Sequence, residues 1–295
     1  MTTERATNVG GMVRASARRP APRRRSGRRA TVIIWLVLAL GALITAFPFI
    51  WMIASAFKTE QESVAYPPDI IPTHPTIEFF AQLFTQLDFG QYLFNTIVVV
   101  LIGFVGMAFM AMAGYAFAKF NFKGKSPMFF LVLATMMIPS QVTMIPTYLI
   151  INDLKLTNTL LGIAIPTLVS GFSIFLFRQF MSTVPTEMLE AAKLDGASEW
   201  RIFWQIVIPM SRPILAVQAV LTFIAGWNSF LWPLIIANDQ SKYTLAVGLS
   251  LLNKQISINP SLQMAAASIM VVPILIVFIV FQRYVVQGFA LSGLK

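Results

Sequence analysis

Residues able to do covalent or acid–base chemistry are scarce in this chain of 295 residues, which has no cysteine, one histidine (His74) and 12 carboxylates. His74 lies between Pro72 and Pro75, the setting of a solvent-exposed loop residue. Without cysteine there is no thiolate nucleophile, disulfide framework or zinc–thiolate site. The remaining residues assemble no nucleophile–base pair or metal constellation, so no catalytic and no metal-ligating residue is assigned. Nor does the chain carry a G-x-x-x-x-G-K-[ST] loop to cradle nucleotide phosphates. The chemistry it does offer is docking. Glu190-Ala191-Ala192-Lys193-Leu194-Asp195-Gly196-Ala197 is followed by Ile206-Val207-Ile208-Pro209. Glu190 to Leu194 are helix formers, Asp195-Gly196 is a stop that allows a left-handed backbone, and Ser198 can N-cap a second segment that runs to Val207 and ends at Pro209. The spacing predicts a short helical hairpin over about residues 186–212. Its alanines let a partner surface approach closely, while Glu190, Lys193, Glu199 and Arg201 can fix the register. A solvated connecting loop is the other use of such a segment.

The pattern E-A-A, glycine four positions on, then nine residues before I-x-x-P, is carried by Glu190, Ala191, Ala192, Gly196, Ile206 and Pro209. It resembles the cytoplasmic "EAA" loop of bacterial ABC importer permeases. The resemblance extends over nearly everything after an arginine-rich start, and is to the smaller, maltose-permease-type subunit of carbohydrate importers. It implies a type I importer fold in which this loop docks into a cleft of a separate P-loop ATPase dimer. Glu190, Ala191, Ala192, Asp195, Gly196 and Ala197 would carry the coupling. It also implies a second six-helix permease subunit and an extracytoplasmic solute-binding protein. This chain would bind no cofactor, with ATP and Mg²⁺ held by the partner ATPase.

These residues must be positioned by membrane helices, because the chain is 57% hydrophobic and 12% charged, with mean hydropathy +0.72. Such a chain cannot cover itself with polar surface. Six apolar runs are long enough to cross a hydrocarbon core, which takes about 20 helical residues: near 31–53, 92–118, 128–150, 160–177, 214–237 and 265–283. The fold class is therefore an all-α integral membrane protein of six transmembrane helices. Residues 1–30 read as a disordered arginine-rich tail and 31–295 as the transmembrane domain. Eighteen of the 22 basic residues lie on one side of these runs, nine of them arginines in the tail; Lys58, Lys155, Lys242 and Lys254 lie opposite. The positive-inside rule puts both termini and the Glu190 loop in the cytoplasm, and the resemblance implies that the membrane is a bacterial cell membrane. The net charge of +10 is topogenic and lipid-directed rather than a nucleic-acid footprint. No ionisable residue falls well inside a run, which argues against an ion-driven carrier.

Polar and aromatic residues within the runs are the candidates for a solute path: Gln141 between Pro139 and Pro146, and Trp227 with Asn228 in the fifth run. The two prolines serve either as a hinge or as tolerated kinks. Trp227 and Trp232 serve either as interfacial anchors or as flat faces for sugar rings. The segment around them resembles the carbohydrate-importer branch, which implies a sugar or sugar-like solute. The external stretch 54–91 reads as an extended segment followed by an amphipathic helix over 76–87, a lid on the bundle or a contact for an external partner. In the loop between the last two runs, Asn253, Lys254 and Gln255 stand where the maltose-permease type reaches toward its binding protein; an ordinary hydrated turn is the alternative. The ending Ser292-Gly293-Leu294-Lys295 departs from the G-A-V-K-G that such subunits insert between ATPase subunits. A self-contained channel or facilitator is the competing reading, and a membrane scaffold a third.

Overall fold

The computed structural model describes residues 28–255 and 259–292, with side chains at 30–251 and 259–284. The expected tail up to Gly27 and the last three residues lie outside that range. Among the described residues every regular element is helical. The chain divides into two units, 1–48 and 49–295. The first holds most of α1 (Arg28–Ser55), an uninterrupted apolar helix.

The second unit is built around α4 (Phe89–Lys119), reached through two short helices, α2 (Glu60–Val64) and α3 (Glu78–Gln86). The sequence reading placed only the second of these. The first is closed by a capping box: Glu62 N–H donates to Thr59 Oγ1, and Thr59 N–H to the Glu62 carboxylate, both at 3.3 Å. After α4 come α5 (Lys125–Thr135), α6 (Ser140–Asp153), α7 (Leu160–Ala164), a 3₁₀ turn at Ile165–Leu168 and α8 (Gly171–Met181). The docking segment supplies α9 (Thr186–Leu194), α10 (Glu199–Ile202) and α11 (Ile208–Met210). The chain then closes with α12 (Arg212–Trp227), α13 (Leu231–Ile236), α14 (Leu245–Gln255) and α15 (Pro260–Ser292).

Four stretches are long and apolar enough to cross a membrane as they stand: Ala30–Ser55, Phe89–Lys119, Arg212–Ile236 and Pro260–Tyr284. The other two runs are each a bent pair, α5 with α6 at 103° and α7 plus its 3₁₀ turn with α8 at 41°. Six spans result if each pair counts as one. The third run is thus not a loosened straight helix. α5 ends at Thr135, and Pro139, which cannot donate to a preceding carbonyl, leads a new helix in another direction.

α4 packs against α8, α12, the 3₁₀ turn and α7, and α12 packs against α15. Small residues make the α4–α8 approach possible: a Cβ at Gly114 would lie 2.9 Å from the Arg178 backbone nitrogen. The opposite face of α4 presents Leu101, Val105 and Phe109, each more than half exposed, as lipid requires. Where chain segments meet at the other end of α4, Asn95 is buried and fully bonded. Its Nδ2 donates to the carbonyls of Ser241 and Tyr243 at 2.8 Å each, and its Oδ1 accepts from Gln91. Thr96 Oγ1 accepts from Leu245 N–H at 2.8 Å.

Candidate functional site: a hairpin rooted in the helix bundle

The hairpin forms as its residues dictate. α9 ends in a Schellman motif: Gly196 takes φ +79°, its N–H donates to Lys193 O at 3.0 Å, and Ala197 N–H donates to Ala192 O at 2.9 Å. Nothing lies within 4 Å of where a Gly196 Cβ would stand, so conformation and not space demands glycine there. Ser198 then caps α10, its Oγ accepting from Arg201 N–H at 3.3 Å. Pro209 does not end the second arm as the sequence reading had it. A π-helical turn over Phe203–Val207 precedes it, Pro209 sits in the first turn of α11, and the helical path runs on through α12. Ile208 N–H donates to Phe203 O across the widened turn, so Pro209, which has no N–H to give, follows a stretch that already departs from α-helical pairing.

The hairpin has two faces. Leu189, Ile202, Phe203 and Val207 are buried in one apolar cluster with Met110, Tyr115, Phe117, Ile174, Phe177 and Met181 of α4 and α8. Facing away are Glu190, Ala191, Asp195 and Gly196, together with Met188, Leu194, Trp200 and Trp204, large apolar side chains that water does not favour; Leu194 is 90% exposed. Of the six residues singled out in the sequence, Ala192 and Ala197 instead pack inward, against the apolar cluster.

Polar contacts tie the hairpin to α4. The Tyr115 hydroxyl donates to Glu199 Oε2 at 3.4 Å, and Glu199 Oε1 pairs with Lys193 Nζ at 2.6 Å across the two arms. Lys119 Nζ, at the end of α4, donates to Val184 O at 2.5 Å and to Ser182 O at 3.3 Å, just ahead of α9. Sequence reasoning passed over Tyr115 and Lys119, whose partners lie more than 60 positions away.

The remaining candidates do not converge. Gln141 and Asn228 are exposed, the first on α6 and the second at the end of α12. Trp227 is buried, its Nε1 donating to Met270 O at 2.9 Å and its ring stacked on Phe223 with centroids 5.2 Å apart. Its face is therefore taken by packing. Asn253, Lys254 and Gln255 close α14, where their side chains fall outside the described residues. What does converge is a cavity of about 370 Å³ bounded by α4, the 3₁₀ turn, α8 and α12. Gln218 and Ser173 line it, and Gln218 was legible as the one amide within the apolar run of α12. Among the described residues no cluster of His and carboxylate side chains could hold a metal.

Residues 110–290 match the family described as the binding-protein-dependent transport system inner membrane component. The arabinooligosaccharides transport system permease protein AraQ of Halalkalibacterium halodurans is 33% identical over 91% of this chain and 99% of its own length. The lactose transport system permease protein LacG of Rhizobium radiobacter is 33% identical over 88% and 95%. The sn-glycerol-3-phosphate transport system permease protein UgpE of Yersinia enterocolitica is 32% identical over 88% and 96%. Among solved structures, a chain of a bacterial ABC transporter that imports the acidic polysaccharide alginate shares the fold, with TM-score 0.77 and 24% identity over 88% of this chain and 98% of that one.

Proposed function

We propose, since this chain belongs to the binding-protein-dependent transport system inner membrane components, that it is one of two permease subunits of an ATP-driven importer of a sugar or sugar-like solute. It is an integral membrane transport subunit and not an enzyme. The observation that carries the reading is the hairpin: a rigidly capped turn, rooted by four buried apolar residues, that turns charged and large apolar side chains outward. An outward face of that kind fits a cleft in a second protein. Glu190, Ala191, Asp195 and Gly196 meet the ATPase in this reading, while Ala192 and Ala197 hold the hairpin on the bundle. ATP and Mg²⁺ belong to that partner.

Both termini and the hairpin face the cytoplasm, by the distribution of basic residues. ATPase closure moves the hairpin as a body and, through Tyr115 and Lys119, α4 with it. The path opens outward to a solute-binding protein, to which the α14–α15 loop with Asn253, Lys254 and Gln255 is presented. Gln141 and Asn228, both exposed, meet the passing solute in this reading. Trp227 serves by holding α12 to α15. Relatives named for arabinooligosaccharide and lactose transport support a carbohydrate; one named for glycerol 3-phosphate and an alginate importer leave its charge open.

The test is purification of the tagged chain in mild detergent with and without Glu190→Arg. A P-loop ATPase and a second permease should co-purify with the unmodified chain, and the charge reversal should release the ATPase at least tenfold. A chain recovered alone that conducts solute unaided would replace this reading with a channel.

A further inference from the structure

The cavity between α4, α8 and α12 has a chemical character of its own. Gln218 is 3% exposed and Ser173 is 4% exposed. Gln218 Nε2 donates to Ser173 Oγ at 2.5 Å, whereas Gln218 Oε1 is buried with no partner. A glutamine amide offers two donors and an acceptor. Turning it over merely exchanges which atom meets Ser173 and which goes unmet. A buried amide left half-satisfied is costly, and such groups are kept where something else completes them.

The surroundings say what that is. Beyond Gln218 and Ser173, the polar groups lining the cavity are Ser170, Thr167 and Thr222, all hydroxyls, set among Val, Met, Phe and Leu; no lining residue is charged. Pro166, Val169, Phe172, Leu221 and Ala225 are exposed at its mouth, so the cavity is an open groove. Along α12 the amide stands six residues from Arg212 and Gly226 eight residues farther on. Gln218 is therefore at the floor, on the hairpin's side. The two helices bridged by the Gln218–Ser173 bond are those that enter and leave the hairpin, α8 and α12.

We infer that this groove is a solute subsite for an uncharged, polyhydroxylated ligand, with Gln218 and Ser173 bonding one of its hydroxyls and excluding anionic ligands by offering no opposing charge. A hydroxyl both donates and accepts, so it completes the amide in either orientation. An ionised carboxylate or phosphate would enter an apolar wall unpaired. The inference rests on the importer reading and narrows it to neutral sugars.

The chain has no native cysteine, so Thr222→Cys places its only thiol in the groove. In the complex with the second permease and ATPase, the rate of modification of this thiol by a small neutral maleimide is read from the mass of this chain. Lactose and an arabinose trisaccharide, each at 100 mM, are tested against sn-glycerol 3-phosphate. We expect a neutral sugar to slow labelling at least fivefold, the phosphate to have no effect, and protection to vanish with Gln218→Leu or Ser173→Ala. Gln218→Asn should keep part of it. The inference is overturned if neither neutral sugar protects, if glycerol 3-phosphate protects equally, or if protection survives both substitutions. Failure of the importer reading shows separately, as absence of an ATPase from the purified complex.

Discussion

Gly196 is the residue at which backbone conformation and proposed coupling meet. At φ +79° with open space around it, Gly196→Val should cost about 1–2 kcal/mol through strain alone. Because the hairpin turn would shift while the bundle stayed packed, ATPase stimulation should fall sharply while the detergent melting temperature drops only by the few degrees that this strain implies. Asn95 has the opposite signature. Asn95→Leu leaves the carbonyls of Ser241 and Tyr243 without their donor, which should cost about 1–3 kcal/mol and lower the melting temperature. Glu62 adds a pH dependence. The Thr73 hydroxyl bond, with help from the backbone N–H groups of His74, Thr59 and Thr73, holds its carboxyl below the usual value. A lowered pKa contributes order above the unfolded carboxylate range and loses it as pH falls through the folded value. Amide protection factors at Thr73 and His74 should therefore be high at neutral pH and drop in acid.

At the level of elements, local signals were read well where they are local. The Asp195-Gly196 stop, the Ser198 cap and the amphipathic α3 all rest on residues within a turn of one another. Pro209 misled because a proline's effect depends on the turn before it: a π-helical turn let the helical path continue where a regular α-helix would have stopped. Pro139, expected as a hinge or a tolerated kink, marks a 103° change of course between α5 and α6, larger than a kink. The α4–α8 contact is decided by small residues, whose partners a single chain does not reveal. Gly114→Val would press on the Arg178 backbone and should destabilise the pair by about 1–3 kcal/mol, read as a lower melting temperature in detergent and loss of the complex.

For the whole molecule, the apolar walls left exposed on α1, α4 and α15 require a bilayer, and the outward hairpin calls for a partner. Reconstituted alone in vesicles, the chain should neither hydrolyse ATP nor accumulate sugar, and both should appear when the ATPase, the second permease and the binding protein are added. Composition alone determined that this is a membrane protein, because hydrophobicity is a sum over residues that needs no contacts. The hairpin followed from spacing within about twenty positions, and the count of basic residues sets the side of the membrane on which it is proposed to lie. Only the tertiary structure decided which alanines of the hairpin face outward, why Trp227 is occupied by Met270 and Phe223, and that Gln218 meets Ser173 across 45 positions with half its amide unmet. Each of those depends on which helix lies beside which, and that is fixed by close packing over the whole bundle rather than by any local run of residues.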